Sequence, residues 1–209
     1  MNKGILVVIS GFSGAGKGTL MKELLATYDN YALSVSMTTR APRQGEVDGR
    51  EYFFADKESF EEKIAQNGFI EYAEYCGNYY GTPRDYVEKQ LNAGKDVILE
   101  IEIQGMRKVK QHFPDMLPLF VTPPSAEELN RRLRGRGTET EEVILKRLAR
   151  AVQEADGMED YEYIVVNDDL QTCVSEIHGI VQAAKRTPLR NKDFVKHMKD
   201  ELENLSKGE

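Results

Sequence analysis

The sequence feature that most constrains the fold is a glycine-rich loop near the start of the chain, between an apolar run and a helical pattern. Residues 5–9 are wholly apolar, which is typical of a buried strand in a parallel sheet. The segment GFSGAGK at residues 11–17 fits the GxxxxGK pattern, in which backbone N–H groups enclose phosphates and the lysine reaches the β- and γ-phosphates. Because strand, loop and helix occur in the required order, we predict a nucleoside triphosphate site here rather than a turn that binds nothing.

One position of the loop departs from the general pattern. The pattern places Ser or Thr directly after the lysine, where the hydroxyl binds Mg²⁺, but this chain has Gly18 there and its next hydroxyl at Thr19. The GKGT variant also resembles the loop of adenylate kinases, so the loop alone does not select the acceptor substrate. The predicted ATP-binding residues of the loop are Gly11, Phe12, Ser13, Gly14, Ala15, Gly16, Lys17, Gly18 and Thr19.

Composition limits the partners and the compartment. The chain has 209 residues, enough for one large α/β domain, and its net charge of −7 argues against nucleic acid or an anionic membrane as a partner. No apolar run approaches the ~20 residues of a membrane span. The two cysteines, Cys76 and Cys173, are far apart, and no signal peptide precedes the first strand, so we expect a cytoplasmic protein.

The pattern of the chain divides it into a core, an insertion and a lid. Residues 37–81 contain short Tyr- and Phe-rich segments around one predicted helix, which indicates a small, mostly antiparallel subdomain inserted into a parallel core. From residue 191, apolar residues at helical spacing predict a docked or fraying helix. We predict one domain with its core at 1–36, 82–130 and 150–190, the insertion at 37–81, a lid at 131–149 and a tail at 191–209.

Hydrophobic periodicity predicts the remaining elements. Strands are expected at 32–36, 96–103, 117–121 and 163–166, and helices at 17–26, 57–66, 83–93, 106–112 and 170–184. Two capping boxes, Ser125 with Glu128 and Thr138 with Glu141, predict the starts of two further helices, the second of which runs to about Asp156.

Arginine clusters occur on both sides of the predicted triphosphate site. In phosphoryl transfer the protein mainly aligns two phosphates and neutralises their charge. Arg40 and Arg43 lie at the entry to the insertion, and a second set lies on or beside the lid, at Arg132, Arg134, Arg136, Arg147 and Arg150. Alone, the second set is typical of a solvated helix face paired with glutamates; beside a triphosphate loop it favours a phosphotransferase.

Four motifs resemble the guanylate kinase family. They are SVSMTTRAPRQGEVDGREYFF at 34–54, FIEYAEYCGNYYGTP at 69–83, RGRGTETEE at 134–142 and VNDD at 166–169, and the resemblance runs from about residue 4 to residue 184. It implies an α/β fold of the P-loop NTPase type, with a parallel sheet flanked by helices, a mixed, mostly antiparallel GMP-binding insertion and a helical Arg-rich lid. The implied reaction gives ADP and GDP from ATP and GMP, with Mg²⁺ bound as MgATP, in purine metabolism.

The resemblance also implies roles for single residues. The phosphate of GMP is held by Arg40, Arg43, Tyr52 and Tyr80, and the guanine is lined by Ser36, Glu71, Thr82 and Glu102. The transferring phosphoryl group is stabilised by Lys17, Arg40, Arg136 and Arg147, and ATP is further contacted by Arg132 and Asn167. Glu102 stands where the family commonly has Asp, so we expect its contact with the base to be altered or bridged by water.

The chemistry of the residues supports the assignment of Glu71 and adds a role for Glu100. Guanine presents N1–H and a 2-amino group side by side, and one carboxylate such as Glu71 accepts both, whereas adenine presents an acceptor at N1. Glu100 lies at the carboxyl end of a predicted strand, where α/β sheets bind ligands, and we expect it to hold Mg²⁺ through water. Two alternatives stay open, a kinase for another nucleoside monophosphate and a non-catalytic guanylate-kinase-like interaction module. We expect a monomer or a homodimer.

Overall fold

A computed structural model describes residues 3–75, 77–135 and 140–207, which form two sheets and eight α-helices. In chain order the strands are β1 (Leu6–Gly11), β2 (Tyr31–Leu33), β3 (Met37–Thr38), β4 (Phe53–Phe54), β5 (Phe69–Tyr75), β6 (Asn78–Pro83), β7 (Asp96–Glu100), β8 (Leu117–Thr122) and β9 (Tyr163–Val166). The helices are α1 (Lys17–Thr27), α2 (Lys57–Ala65), α3 (Arg84–Asn92), α4 (Ile103–His112), α5 (Ala126–Arg134), α6 (Glu141–Ala155), α7 (Leu170–Ala184) and α8 (Lys192–Lys207).

The central sheet consists of five parallel strands in the order β2-β7-β1-β8-β9. Successive residues of β1 face opposite sides, since Val7 and Ile9 pack with α1 and α7 while Leu6 and Val8 pack with α3 and α4. All four side chains are buried, so helices cover both faces of the strand, as its apolar sequence predicts. The predicted fold class, a parallel sheet flanked by helices, is confirmed.

The second sheet lies in the predicted insertion and has the strand order β4-β3-β6-β5. β3 pairs with β4 in parallel, whereas the β3–β6 and β5–β6 pairs are antiparallel. Phe60 of α2 is fully buried, and its ring stacks on the rings of Phe69 at 4.3 Å and Tyr79 at 5.2 Å between centroids. The insertion is therefore a mixed, mostly antiparallel unit, as predicted, and these three rings form an apolar centre within it.

Two predicted strands are too long. The strand predicted at 32–36 ends at Leu33, because pairing with β7 stops there and the chain crosses to the second sheet. The strand predicted at 96–103 ends at Glu100, and α4 begins at Ile103, three residues before the predicted helix start at 106. Ile101 and Ile103 follow the end of β7 and still pack against the core. Their burial extends the alternation of apolar and polar residues beyond the strand, which is why the predicted strand was too long.

The lid differs from its prediction in how its helices are capped. The Ser125 hydroxyl accepts a hydrogen bond from the Glu128 N–H at 3.1 Å, as predicted, but the Glu128 carboxylate pairs with two arginines of α5 rather than closing a capping box. The N-cap of α6 is Thr140, and the predicted cap, Thr138, lies outside the described residues. α6 runs unbroken through the predicted boundary at 149–150.

The tail is helical, as predicted, and four of its apolar side chains face solvent. α8 exposes Phe194, Met198, Leu202 and Leu205. None of the helices in the described ranges is long and apolar enough to cross a membrane.

Candidate active site

The loop between β1 and α1 has a conformation that requires glycine. Gly14 and Gly16 have φ values of 98° and 90°, in the left-handed region. A Cβ atom at Gly16 would lie 2.6 Å from Asn167 Nδ2, and one at Gly11 would lie 2.1 Å from the carbonyl oxygen of Val121 in β8. The loop therefore packs closely against the carboxyl ends of the neighbouring strands and leads directly into a helix N-terminus, an arrangement that favours an anion.

Lys17 lies against the first residues of the loop. Its Nζ donates hydrogen bonds to the carbonyl oxygens of Gly11 at 2.8 Å and Phe12 at 3.2 Å. These contacts hold the ammonium group beside the loop backbone, where the motif places the β- and γ-phosphates of a nucleotide.

Two predicted ATP-binding residues donate hydrogen bonds to the carbonyl oxygen of Ala15 in the loop. The buried Asn167, which follows β9, donates from Nδ2 to the carbonyl oxygen of Ala15 at 2.7 Å. Arg132 of α5 donates to the carbonyl oxygen of Asn167 at 2.8 Å and is held by Glu128 at 2.7 Å. Both side chains therefore fix the loop and join it to the lid.

α6 brings one predicted catalytic arginine to the loop. Arg147 Nη1 donates to the hydroxyl of Ser13 at 3.0 Å. Arg134 pairs instead with Glu141 on the exposed side of the lid, as the solvated-face alternative expected. Arg136, the other predicted catalytic residue of the lid, lies outside the described residues.

A cavity of about 450 Å³, here named the loop cavity, opens beside the loop, and its wall includes Ser13, Lys17, Glu100, Glu102, Arg147 and Arg150. The exposed Glu100, at the end of β7, thus faces the same space as Lys17. In the described ranges there is no group of three or more His, Cys, Asp or Glu side chains that could hold a metal. A single carboxylate fits Mg²⁺ that takes its other ligands from nucleotide phosphates and water.

A second cavity of about 450 Å³, here named the insertion cavity, lies between the second sheet and the end of β7. Its wall includes five predicted GMP-binding residues, Ser36, Tyr52, Glu71, Tyr80 and Glu102. The two cavities share Glu100, Ile101 and Glu102. The structure therefore brings the predicted donor and acceptor residues to one edge of the central sheet.

Glu71 is held at the wall of the insertion cavity by the strand beside it. Its Oε1 accepts a hydrogen bond of 2.8 Å from the hydroxyl of Thr82, which is fully buried. Burial raises the pKa of Glu71, while the Thr82 hydrogen bond and the nearby Lys108 oppose that rise. Thr82, predicted to line the guanine, lies behind Glu71 and orients its carboxylate.

Arg40 is held beside the insertion cavity by Glu46. Its Nη2 donates to both carboxylate oxygens at 2.9 and 3.0 Å, and this hydrogen bonding raises the pKa of Arg40 and lowers that of Glu46. The guanidinium lies 5.4 Å from the centre of the Tyr52 ring, which is 6.0 Å from the Tyr80 ring. Three predicted phosphate-binding residues thus adjoin one another, whereas the fourth, Arg43, is exposed and donates its backbone N–H to Glu46 at 2.7 Å.

Sequence reasoning missed three residues of the site: Glu46, which holds Arg40, Lys108 in the insertion cavity and Glu154 in the loop cavity. Glu46 follows Arg40 by six residues in a segment that is neither helix nor strand, so no periodicity predicts their contact. Lys108 lies within the helix predicted at 106–112, but the sequence does not show that this helix packs beside the insertion cavity. Glu154 was detectable, because it follows Arg150 by four residues on a predicted helix.

Comparison with known proteins gives consistent results. The model of the family described as guanylate kinase matches residues 3–184. A guanylate kinase of Desulfitobacterium hafniense is 52% identical over 184 residues, which cover 88% of this chain and 92% of that protein. One from Clostridioides difficile is 49% identical over 203 residues, covering 97% and 99%. The crystal structure of guanylate kinase from Anaplasma phagocytophilum matches with a TM-score of 0.69 and 34% identity, covering 90% of each chain.

Proposed function

This chain belongs to the guanylate kinase family, and we infer that it transfers the γ-phosphoryl group of ATP to GMP, giving ADP and GDP. The observation that carries this inference is the shared wall of the two cavities. One cavity contains the lysine of the phosphate loop, the other contains a carboxylate suited to guanine, and Glu100 to Glu102 border both. A donor and an acceptor bound on either side of this wall would meet at the carboxyl end of β7.

On the donor side, the loop backbone binds the triphosphate and Lys17 neutralises charge on the β- and γ-phosphates. Arg147, already in contact with Ser13 of the loop, would stabilise the negative charge on the transferring group. Glu100 would hold Mg²⁺ through water, and the ion, when bound, lowers the charge repulsion between the phosphates.

On the acceptor side, Glu71 would accept hydrogen bonds from N1–H and the 2-amino group of guanine. Thr82 occupies Oε1 from one direction only, and each carboxylate oxygen can accept more than one hydrogen bond. Arg40, Tyr52 and Tyr80 would bind the phosphate, with the tyrosines donating hydrogen bonds without adding charge. We assign Arg43 to the same phosphate, reached when the insertion closes over the nucleotide.

We propose that residues 37–81 act as the acceptor-binding unit and residues 131–149 as the lid. Closure of both over their ligands would exclude water, which otherwise competes as the phosphoryl acceptor. We expect small-molecule substrates only, with no nucleic acid or membrane as a partner.

A coupled assay of ADP release tests the proposed function. ATP with Mg²⁺ is supplied together with GMP, AMP, CMP or UMP in parallel, with water alone as the acceptor control. We expect rapid ADP release with GMP and little with the other three. A preference for another monophosphate would assign the chain to a different kinase, and no acceptor-dependent release would leave a binding module as the better description.

A further inference from the structure

α6 carries two arginines, one helical turn apart, of which one contacts the phosphate loop and the other contacts the shared wall. Arg147 contacts Ser13 in the phosphate loop, as described above. Arg150 Nη2 lies 2.5 Å from Glu102 Oε1, and Glu102 belongs to the wall of the insertion cavity. One rigid helix therefore touches the triphosphate loop and the base-binding side of the molecule at the same time.

Arg150 is fixed from a second direction. Its Nε donates to Glu154 Oε1 at 3.0 Å, and Glu154 is only 16% exposed, against 70% for Glu102. Burial lowers the pKa of Arg150, but the carboxylates of Glu102 and Glu154 raise it, and the net effect is a raised pKa. Glu154 also acts electrostatically on the buried Tyr161, whose pKa burial raises to about 12. The guanidinium of Arg150 is thus held by the mostly buried Glu154 on one side and contacts the exposed Glu102 on the other.

The contact with Glu102 leaves part of that carboxylate available. Arg150 contacts Oε1, and Glu102 otherwise lies at the open edge of the insertion cavity. A long, exposed side chain such as Glu102 loses conformational entropy when a ligand fixes it. Because Arg150 already restrains Glu102, a ligand that binds Glu102 loses less free energy to this ordering. A ligand that restrains Glu102 in turn restrains Arg150, and with it α6.

We propose that Arg150 is a positioning residue that couples the two substrates, linking Glu102 in the GMP-binding cavity to the helix that holds Arg147 on the phosphate loop. The proposal rests on the proposed function, because it takes GMP as the ligand that contacts Glu102. GMP binding stabilises the position of α6 against the loop, and MgATP binding stabilises the position of Glu102 for the base. Linkage requires that each nucleotide tighten the other by the same factor.

Calorimetric titration measures this coupling directly. The dissociation constant of a non-hydrolysable ATP analogue with Mg²⁺ is determined with and without saturating GMP, and the ratio of the two values is the coupling factor. For the unaltered protein we expect GMP to tighten analogue binding at least about fivefold. For Arg150→Gln we expect a ratio below about two, where the ratio is taken against that variant's own affinity for the analogue alone.

Three further variants separate coupling from general damage. Arg150→Lys should recover part of the ratio, because one ammonium group cannot reach both carboxylates as a guanidinium fork does. Glu154→Gln should lower the ratio because it loosens the second contact of Arg150, and it supplies the test if Arg150→Gln does not fold. Because Glu154 also lines the loop cavity, its ratio too is taken against the variant's own affinity for the analogue alone. Lys146→Gln, which removes a cation from an exposed pair with Glu142 on the same helix, should leave the ratio unchanged.

The outcomes distinguish this proposal from the function it rests on. If the unaltered protein neither binds GMP nor phosphorylates it, the proposed function fails. If GMP is a substrate but the coupling factor is near one, or Arg150→Gln and Glu154→Gln both keep the full factor, the coupling role of Arg150 is wrong and the function stands. An equal loss in Lys146→Gln would also overturn it, since the effect would then follow helix charge in general.

Discussion

The two halves of the candidate active site are built in different ways. The donor half is a backbone structure, in which glycines with positive φ and a helix start form the phosphate loop on a fully buried strand. The acceptor half is a set of side chains from β5, β6, the segments that flank β3 and β4, and the turn after β7. A backbone site is specified by a contiguous motif, whereas a side-chain site depends on contacts between distant segments.

The charged groups of the two halves differ in the same way. Lys17 is held by two backbone carbonyls of its own loop, while Arg40 is held by the carboxylate of Glu46. A phosphate that recruits Arg40 must therefore compete with the Glu46 carboxylate. We expect the acceptor half to rearrange when it binds phosphate, whereas the backbone of the donor loop is already held by Asn167.

Lys17→Met tests the donor half and should have the largest effect. The substitution keeps the length of the side chain and removes the charge that acts on the transferring phosphoryl group, so kcat should fall at least about 1000-fold. The fold should be unaffected, with a thermal midpoint within about 2 °C of the unaltered protein. The matched control is Lys22→Met, an exposed lysine on the same helix, which should keep full activity. A Lys17→Met protein with more than about a tenth of normal kcat would show that the loop backbone suffices.

Glu71→Gln tests the acceptor half. The amide keeps one acceptor but turns an NH₂ group toward the second donor of guanine, which should cost roughly 2 to 4 kcal/mol, or about 30- to 1000-fold in kcat/KM for GMP. The KM for ATP should stay constant, and discrimination against AMP should narrow because the new amide donates to adenine N1. Steady-state kinetics with both acceptors measures this, with Glu62→Gln on the exposed face of α2 as the control. Parallel loss of GMP and AMP activity would remove Glu71 from base recognition.

The comparison also explains how much could be predicted from the sequence. The phosphate loop, β1, β9 and α7 were predicted closely, because each is determined by a local motif or a regular apolar period. The ends of β2 and β7 were not, because pairing between distant strands decides where a strand stops. The pairs Arg40–Glu46 and Arg150–Glu102 depend on a turn and on tertiary packing, and periodicity carries no information about either.

The pH dependence of GMP use should sharpen the assignment of Glu71. Burial raises its folded pKa, so the carboxylate gains a proton at higher pH than an ordinary glutamate, whose pKa is about 4.3. Protonation removes the charge that accepts the guanine donors, and kcat/KM for GMP should therefore fall as pH decreases. The phosphate of GMP also titrates, near pH 6, so the informative quantity is the ratio between the unaltered protein and Glu71→Gln. We expect this ratio to shrink as the pH falls from 7 to 5, and a constant ratio would contradict the role of Glu71.

Gly18→Ser should have the smallest effect, and it sharpens the comparison within the loop itself. A Cβ atom added at Gly18 would meet no other atom within 4 Å. The residue lies in the first turn of α1, where Ser destabilises the helix no more than Gly does. The substitution places a hydroxyl where the general pattern puts one on Mg²⁺, so MgATP should bind equally well or about two- to threefold tighter.

The same substitution two residues earlier, Gly16→Ser, should abolish binding, because position 16 has a φ of 90° and a Cβ there would lie 2.6 Å from Asn167 Nδ2. Titration of both variants with the ATP analogue measures this contrast. If Gly18→Ser also loses binding of the ATP analogue, the open space at position 18 must close when the nucleotide binds. The donor half would then rearrange as much as the acceptor half.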